Sequence, residues 1–263
     1  RVELNFPGDP PRATLHVLTI GINKYKDKKL ALDYSVPDAT AIQNRVKAQA
    51  GALYAGVAET RLFDAQATAT NIRTQLRRLA DATKLEDSVV IYLAGHGIPF
   101  RDEWMFLPWE TPFADNEEDY TGRGVTAAEI QEALVNARAQ RILVMIDSCH
   151  SGGGIDLFNR TLRFHRRFFR EISREAGVTV LAAARPDQSA AEIPKLGHGA
   201  FTYTVLAGID GKAAAMRQGL VTAHGLADYA AAALPALTQQ LLQAAQEPMA
   251  FTLGADFALG RAK

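Results

Sequence analysis

Two residues in this chain have the chemistry of a nucleophile and its base. Cys149 is the only cysteine, and His96 lies 53 positions before it. An imidazole can accept a thiol proton, or hold the thiolate as an ion pair, and the thiolate can then attack a carbonyl carbon. His96 stands between Gly95 and Gly97, where the absence of a side chain lets backbone or substrate come close. Gly152, Gly153 and Gly154 follow Cys149 closely and leave backbone N–H groups that can face an oxyanion. Each motif is weak alone, since a lone cysteine is more often a small core residue. Together they are stronger, because each ends its own apolar run: SVVIYLA at 88–94 and RILVMID at 141–147.

Those runs read as buried strands. Residues 14–22 (TLHVLTIGI) give another, 178–184 a further one, and 61–63 a short one. Between them lie helical patterns. One begins near Pro37, with Ala39, Ile42 and Val46 on one face. A second is capped by Thr70, with Ile72, Leu76 and Leu79 inward. A third opens on the capping box Thr126–Glu129 and runs to about 139. Residues 201–209 and 221–241 read as two more helices, and the connection 98–125 holds a small hairpin around Trp104–Trp109. Alternating strands and helices predict a mainly parallel α/β sheet, whose sites lie at the carboxyl ends of the strands.

Composition narrows the classes. The 263 residues are 48% hydrophobic and 22% charged, with 29 Lys+Arg against 29 Asp+Glu. That excludes a disordered chain and argues against a nucleic-acid partner, which usually needs a basic excess. Apolar runs of about eight residues cannot span a bilayer, so no membrane partner is expected. One cysteine excludes an internal disulfide framework and points to a reducing, cytoplasmic setting. Few histidines and one cysteine argue against a zinc site, and no metal ligand is assigned. Residues 1–13, with Pro7, Pro10 and Pro11, read as a linker from a larger protein carrying further domains.

YLAGHG followed by IDSCHSGG resembles the caspase-like cysteine peptidases, in particular the metacaspases and bacterial orthocaspases. The spacing agrees, since caspases carry the histidine about 50 residues before the cysteine. LTIGINKY resembles the family's first strand, Ala183–Gln188 with Ala191 and Glu192 the strand and loop after the cysteine, Gly199–Thr202 the start of a helix, and QEPMAFTLGADFAL the closing segment. The likeness covers about residues 14–258. It implies a three-layer fold with a mostly parallel six-stranded sheet, flanked by helices, with one antiparallel edge strand. It implies a large-subunit-like part at about 14–157, a basic linker at about 158–176 and a small-subunit-like part at about 177–263, all one catalytic domain from 14 to 263. It makes His96 and Cys149 the dyad, and the N–H groups of Gly97 and Cys149 the oxyanion donors.

True caspases have Gln-Ala-Cys where this chain has Asp147-Ser148-Cys149. The residue two before the nucleophile helps line the primary pocket in this family, and Asp38 matches a second acidic pocket position of metacaspases. Two carboxylates suit a fork of donors from Arg or a point charge from Lys. The resemblance thus implies an endopeptidase for polypeptides with a basic residue before the scissile bond. Ser35 and Ala94 match further pocket positions. Simpler readings stand beside these: Asp147 as a turn cap, Asp38 as a charge at a helix N-terminus, His198 as a loop histidine, and His150 pointing away from the site. A catalytically silent module of the same fold, or an amidase acting on small molecules, are the alternatives.

Two charged segments hide in the neutral total. Residues 101–119 carry seven acids and one base. They read as a solvated loop, although some metacaspases bind Ca2+ near this region and carboxylates suit it. The sequence itself requires no cofactor. Residues 160–174 carry Arg160, Arg163, Arg166, Arg167, Arg170 and Arg174 against Glu171. They read as an amphipathic surface helix, or as a linker that the enzyme itself cuts.

Overall fold

A computed structural model of the chain describes residues 13–51, 53–100, 103–149, 178–184, 191–216, 219–252 and 254–262; at Cys149 it describes the backbone. Strand β1 (Thr14–Gly21) leads to helix α1 (Ser35–Ala50), β2 (Gly56–Phe63), α2 (Ala69–Ala82) and β3 (Ser88–Phe100). Then come β4 (Glu103–Phe106), β5 (Val125–Thr126), α3 (Ala127–Asn136) and β6 (Arg141–Cys149). After β7 (Val178–Ala182) follow the short β8 (Glu192–Ile193) and β9 (His198–Gly199), α4 (Ala200–Ile209), β10 (Leu220–Thr222), α5 (Ala223–Leu242), β11 (Met249–Thr252) and β12 (Ala258–Arg261).

Six strands run in the order β11-β7-β6-β3-β1-β2. All neighbours are parallel except β11, which pairs antiparallel with β7 at the edge. The central strands are near-continuous apolar runs because both faces are covered. Along β3 the pleat sends Val89, Ile91 and Leu93 to one face and Val90, Tyr92 and Ala94 to the other. The first face packs on Ile72 and Leu76 of α2 and on Ile130 and Leu134 of α3. The second packs on Ile42 and Val46 of α1, Phe201 and Val205 of α4, and Leu226 and Leu234 of α5. This is the expected three-layer α/β architecture.

Local details shift some boundaries. Helix α1 begins at Ser35, not at Pro37, because the Asn23 side-chain oxygen accepts the Val36 N–H at 2.7 Å and caps the first turn. Proline fits there, as the first-turn N–H groups have no partner within the helix. Helix α2 is capped by Thr68, whose hydroxyl accepts from Asn71 N at 3.2 Å, and not by Thr70. Thr68 still has extended backbone, which lets its side chain reach forward; Thr70 is already helical. The capping box at Thr126 and Glu129 is formed in both directions. Strand β2 is longer than the three residues expected, and residues 220–222 form β10 ahead of the last long helix.

Strand β3 does not stop at Gly95-His96-Gly97. Its first part pairs with β6 through His96; Gly97–Phe100 then pairs antiparallel with β4. Gly95, at φ 152°, sits at this change of partner.

Candidate active site

Parallel pairing of β3 with β6 sets Ala94 opposite Asp147, Gly95 opposite Ser148 and His96 opposite Cys149. The proposed base and nucleophile therefore occupy facing positions on neighbouring strands. The Cys149 side chain lies outside the described residues, as do His150, the glycines 152–154 and all six arginines of 160–174.

His96 is 2% exposed and tightly held. Its Nε2 stands 2.9 Å from the Leu30 carbonyl oxygen. A carbonyl can only accept, so Nε2 carries the proton and the lone pair of the neutral ring is on Nδ1. Leu30 ends the one-turn 3-10 helix Lys28–Leu30, which Asp27 caps through the Lys29 N–H at 3.0 Å. Asp27 also accepts the Phe113 N–H, and these backbone donors, Phe113 first, hold its carboxyl below the usual range. The His96 main chain is bracketed as well. Its N–H donates to the Tyr25 hydroxyl at 2.8 Å, its carbonyl accepts from Leu107 N at 2.9 Å, and the Tyr25 hydroxyl donates to the Leu107 carbonyl at 3.3 Å. The Tyr25 and His96 rings lie 5.1 Å apart.

The flanking glycines admit an aromatic wall. A Cβ at Gly95 would stand 2.7 Å from the Tyr25 hydroxyl and 3.0 Å from Phe106, and one at Gly97 2.6 Å from the Trp104 indole. The close approach foreseen for substrate is thus made at least in part by the protein's own rings.

The two candidate pocket acids are both buried. Asp147 Oδ2 accepts from the Thr202 hydroxyl at 2.8 Å and from the Tyr92 hydroxyl at 3.1 Å. Burial, helped by the charges of Asp147 and Asp38, pushes the Tyr92 hydroxyl well above its ordinary value, so it stays a donor. Asp38, in the first turn of α1, places Oδ2 3.0 Å from the Gly199 N–H and Oδ1 2.5 Å from His198 Nδ1. A Cβ on Gly199 would stand 3.1 Å from Asp38 Oδ2 and 3.5 Å from Asp147 Oδ2, so both carboxylates flank one Cα. The carboxylates come from α1 and β6, yet they converge. Asp38 stands in the first turn of α1 and also reaches across to β9. Ser35 opens α1 and is buried, and Ala94 is buried opposite Asp147.

His198 is not an isolated loop histidine. It lies on β9, paired with Ile193 of β8, and its imidazole touches Asp38. Burial lowers that imidazole below its ordinary value. Tyr25, Thr202 and Gly199 belonged to motifs already noted, but their roles had no signal in residue type. Leu30 acts through a main-chain carbonyl, which no residue type announces.

Among the described residues no three or more His, Cys, Asp or Glu gather as a metal site. In 101–119, the Glu110 carboxylate accepts from Ala69 N, while Asp115 and Asp119 are exposed. Among the described residues no helix is long and apolar enough to cross a membrane.

Comparison with known proteins follows the same lines. The family model described as Caspase domain matches residues 14–247. A search of curated proteins found no match. Among solved structures, the crystal structure of protein GSU0716 from Geobacter sulfurreducens superposes with a TM-score of 0.62 at 18% identity, covering 92% of this chain and 94% of that one. At that identity the likeness speaks for the fold. The family match spans most of the chain, including both strands that pair at His96 and Cys149, and the chain belongs to the caspase domain family of cysteine peptidases.

Proposed function

We propose that this domain is a cysteine endopeptidase that cleaves polypeptides after arginine or lysine. The observation that carries the reading is the paired register, which sets His96 opposite Cys149 and Ala94 opposite Asp147 two residues earlier. With its proton on Nε2 and directed to Leu30, the imidazole takes the Cys149 thiol proton on Nδ1. The thiolate attacks the scissile carbonyl carbon, and the oxyanion is met by the N–H groups of Gly97 and Cys149. As the C–N bond breaks, His96 returns the proton to the leaving amine. Water then hydrolyses the acyl-enzyme, with His96 again as base. Asp38 and Asp147 select a cationic side chain, and Ser35 and Ala94 line the same pocket.

The same specificity extends to the protein's own linker, where Arg160, Arg163, Arg166, Arg167, Arg170 and Arg174 are candidate processing sites. The test compares wild type with Cys149→Ala on fluorogenic peptides ending in Arg, Lys or Asp. The variant should lose turnover by at least about a thousandfold, as removal of a nucleophile does. Full activity in Cys149→Ala would sink the mechanism, and a preference for Asp would sink the pocket. Mass spectrometry of the same incubations should find cuts within 160–174 in wild type alone; an intact wild-type chain beside active turnover would remove self-processing from the reading.

A further inference from the structure

We infer that His198 is a specificity-determining positioning residue, whose imidazole orients the Asp38 carboxylate to receive the basic side chain of the substrate. This rests on the proposed cleavage after arginine or lysine. Two consecutive residues of β9 grip one carboxylate. His198 Nδ1 takes Oδ1 at 2.5 Å, and the Gly199 N–H takes Oδ2 at 3.0 Å. A carboxylate held on both oxygens from a single strand cannot rotate about its Cβ–Cγ bond without breaking one contact. Its plane is fixed before any ligand arrives. Gly199 also lies beside the second acid, since a Cβ there would stand 3.1 Å from Asp38 Oδ2 and 3.5 Å from Asp147 Oδ2.

The nature of the donor matters as much as its place. A carboxylate only accepts, so Nδ1 carries the proton of this contact. The His198 side chain is 26% exposed and that of Asp38 3%, so the imidazole stands on the solvent side of the acid. Burial disfavours its charged form. A neutral N–H donor can steer the carboxylate without cancelling its charge. A lysine or arginine there would steer it too, but would already occupy it as counter-ion. Sequence context serves the same end: Gly197 at φ 69° turns the chain so that β9 runs back along β8 beside α1.

The experiment measures kcat and KM on an Arg-terminated fluorogenic peptide for wild type, His198→Ala, His198→Asn and His198→Gln, with and without Asp38→Asn. His198→Ala should raise KM about tenfold, the loss of one hydrogen bond to a charged group, with kcat within about twofold. Asn, whose amide nitrogen falls near the place of Nδ1, should restore most of the loss. Gln, whose nitrogen falls near Nε2, should not. On Asp38→Asn, the further change His198→Ala should add no loss. An unchanged KM in His198→Ala overturns the inference alone. So does an equal loss in Ala, Asn and Gln that adds fully to Asp38→Asn, since that is the mark of a structural tie. If wild type itself turns over Arg peptides no better than Asp peptides, the proposed specificity falls, and the role of His198 with it.

Discussion

Tyr25 serves His96 through one hydroxyl that accepts from its N–H while donating to the Leu107 carbonyl. Removing that oxygen leaves a buried N–H and a buried carbonyl without this partner, at a cost of about 1–3 kcal/mol. Tyr25→Phe should therefore lower thermal stability modestly and, on the proposed mechanism, lower kcat about tenfold with KM little altered, because the ring that moves is the proposed base and not the proposed pocket. Thermal melts and peptide kinetics on the purified variant check both parts; a KM effect with unchanged kcat would contradict this role. At this scale the sequence was informative where chemistry is tied to residue type. An imidazole, a thiol and two carboxylates stand out against apolar strands. The partners that orient them did not. Tyr25 lies 71 positions from His96, Thr202 lies 55 from Asp147 and His198 lies 160 from Asp38. Only the folded chain brings them into contact.

The elements carry the site by changing partners. Strand β3 serves β6 up to His96 and β4 beyond it, so the histidine sits at a fork in the sheet and not at a strand end. Apolar runs and capping motifs were enough to locate β1, β3, β6, β7 and the long helices, since burial on both faces leaves a continuous signature. The fork was not visible, because it depends on aromatic rings closing over Gly95 and Gly97. The junction of β1 with α1 offers a test. A Cβ at Gly21 would stand 2.6 Å from the Ser35 main-chain oxygen, and a main-chain atom cannot swing aside. Gly21→Ala should push the first turn of α1, with Ser35 and Asp38, away from the sheet. The expected cost is about 1–3 kcal/mol of stability, typical of overpacking, together with a raised KM for Arg peptides. A variant with wild-type melting and kinetics would refute this account.

Across the whole molecule, two cores lie on opposite faces of one sheet, and Asp87 ties the start of β1 to the turn before β3. Its carboxylate accepts from Thr14 N at 2.8 Å, from Lys84 N at 3.0 Å, and meets His16 Nε2 at 3.2 Å. Burial alone would raise this carboxyl, but those contacts outweigh it and hold it below its ordinary value of 3.8. A carboxyl depressed by folding stabilises the protein fully above its unfolded value and loses that contribution as pH falls through the folded value. Melting temperature should thus fall below about pH 4, and Asp87→Asn should flatten that part of the profile. A variant that keeps the full acid sensitivity would remove Asp87 from the explanation. Net charge of zero says nothing about such ties, which need the distance between Thr14 and Asp87 to collapse.

One consequence of the strand order concerns the integrity of the molecule after a break. β6 and β7 are neighbours in the sheet although residues 150–177 separate them in sequence. Everything before that segment is bound to everything after it by the β6–β7 ladder, by α1 packed on α4, and by the Asp38–His198 contact. A cut within 150–177 therefore severs a covalent link and leaves the β6–β7 ladder paired. The nicked chain should show two bands on a denaturing gel and a single species in native size-exclusion chromatography. Separately expressed halves, 1–157 and 177–263, should complement one another in solution, and the join between them then acts as a tether that raises their effective concentration.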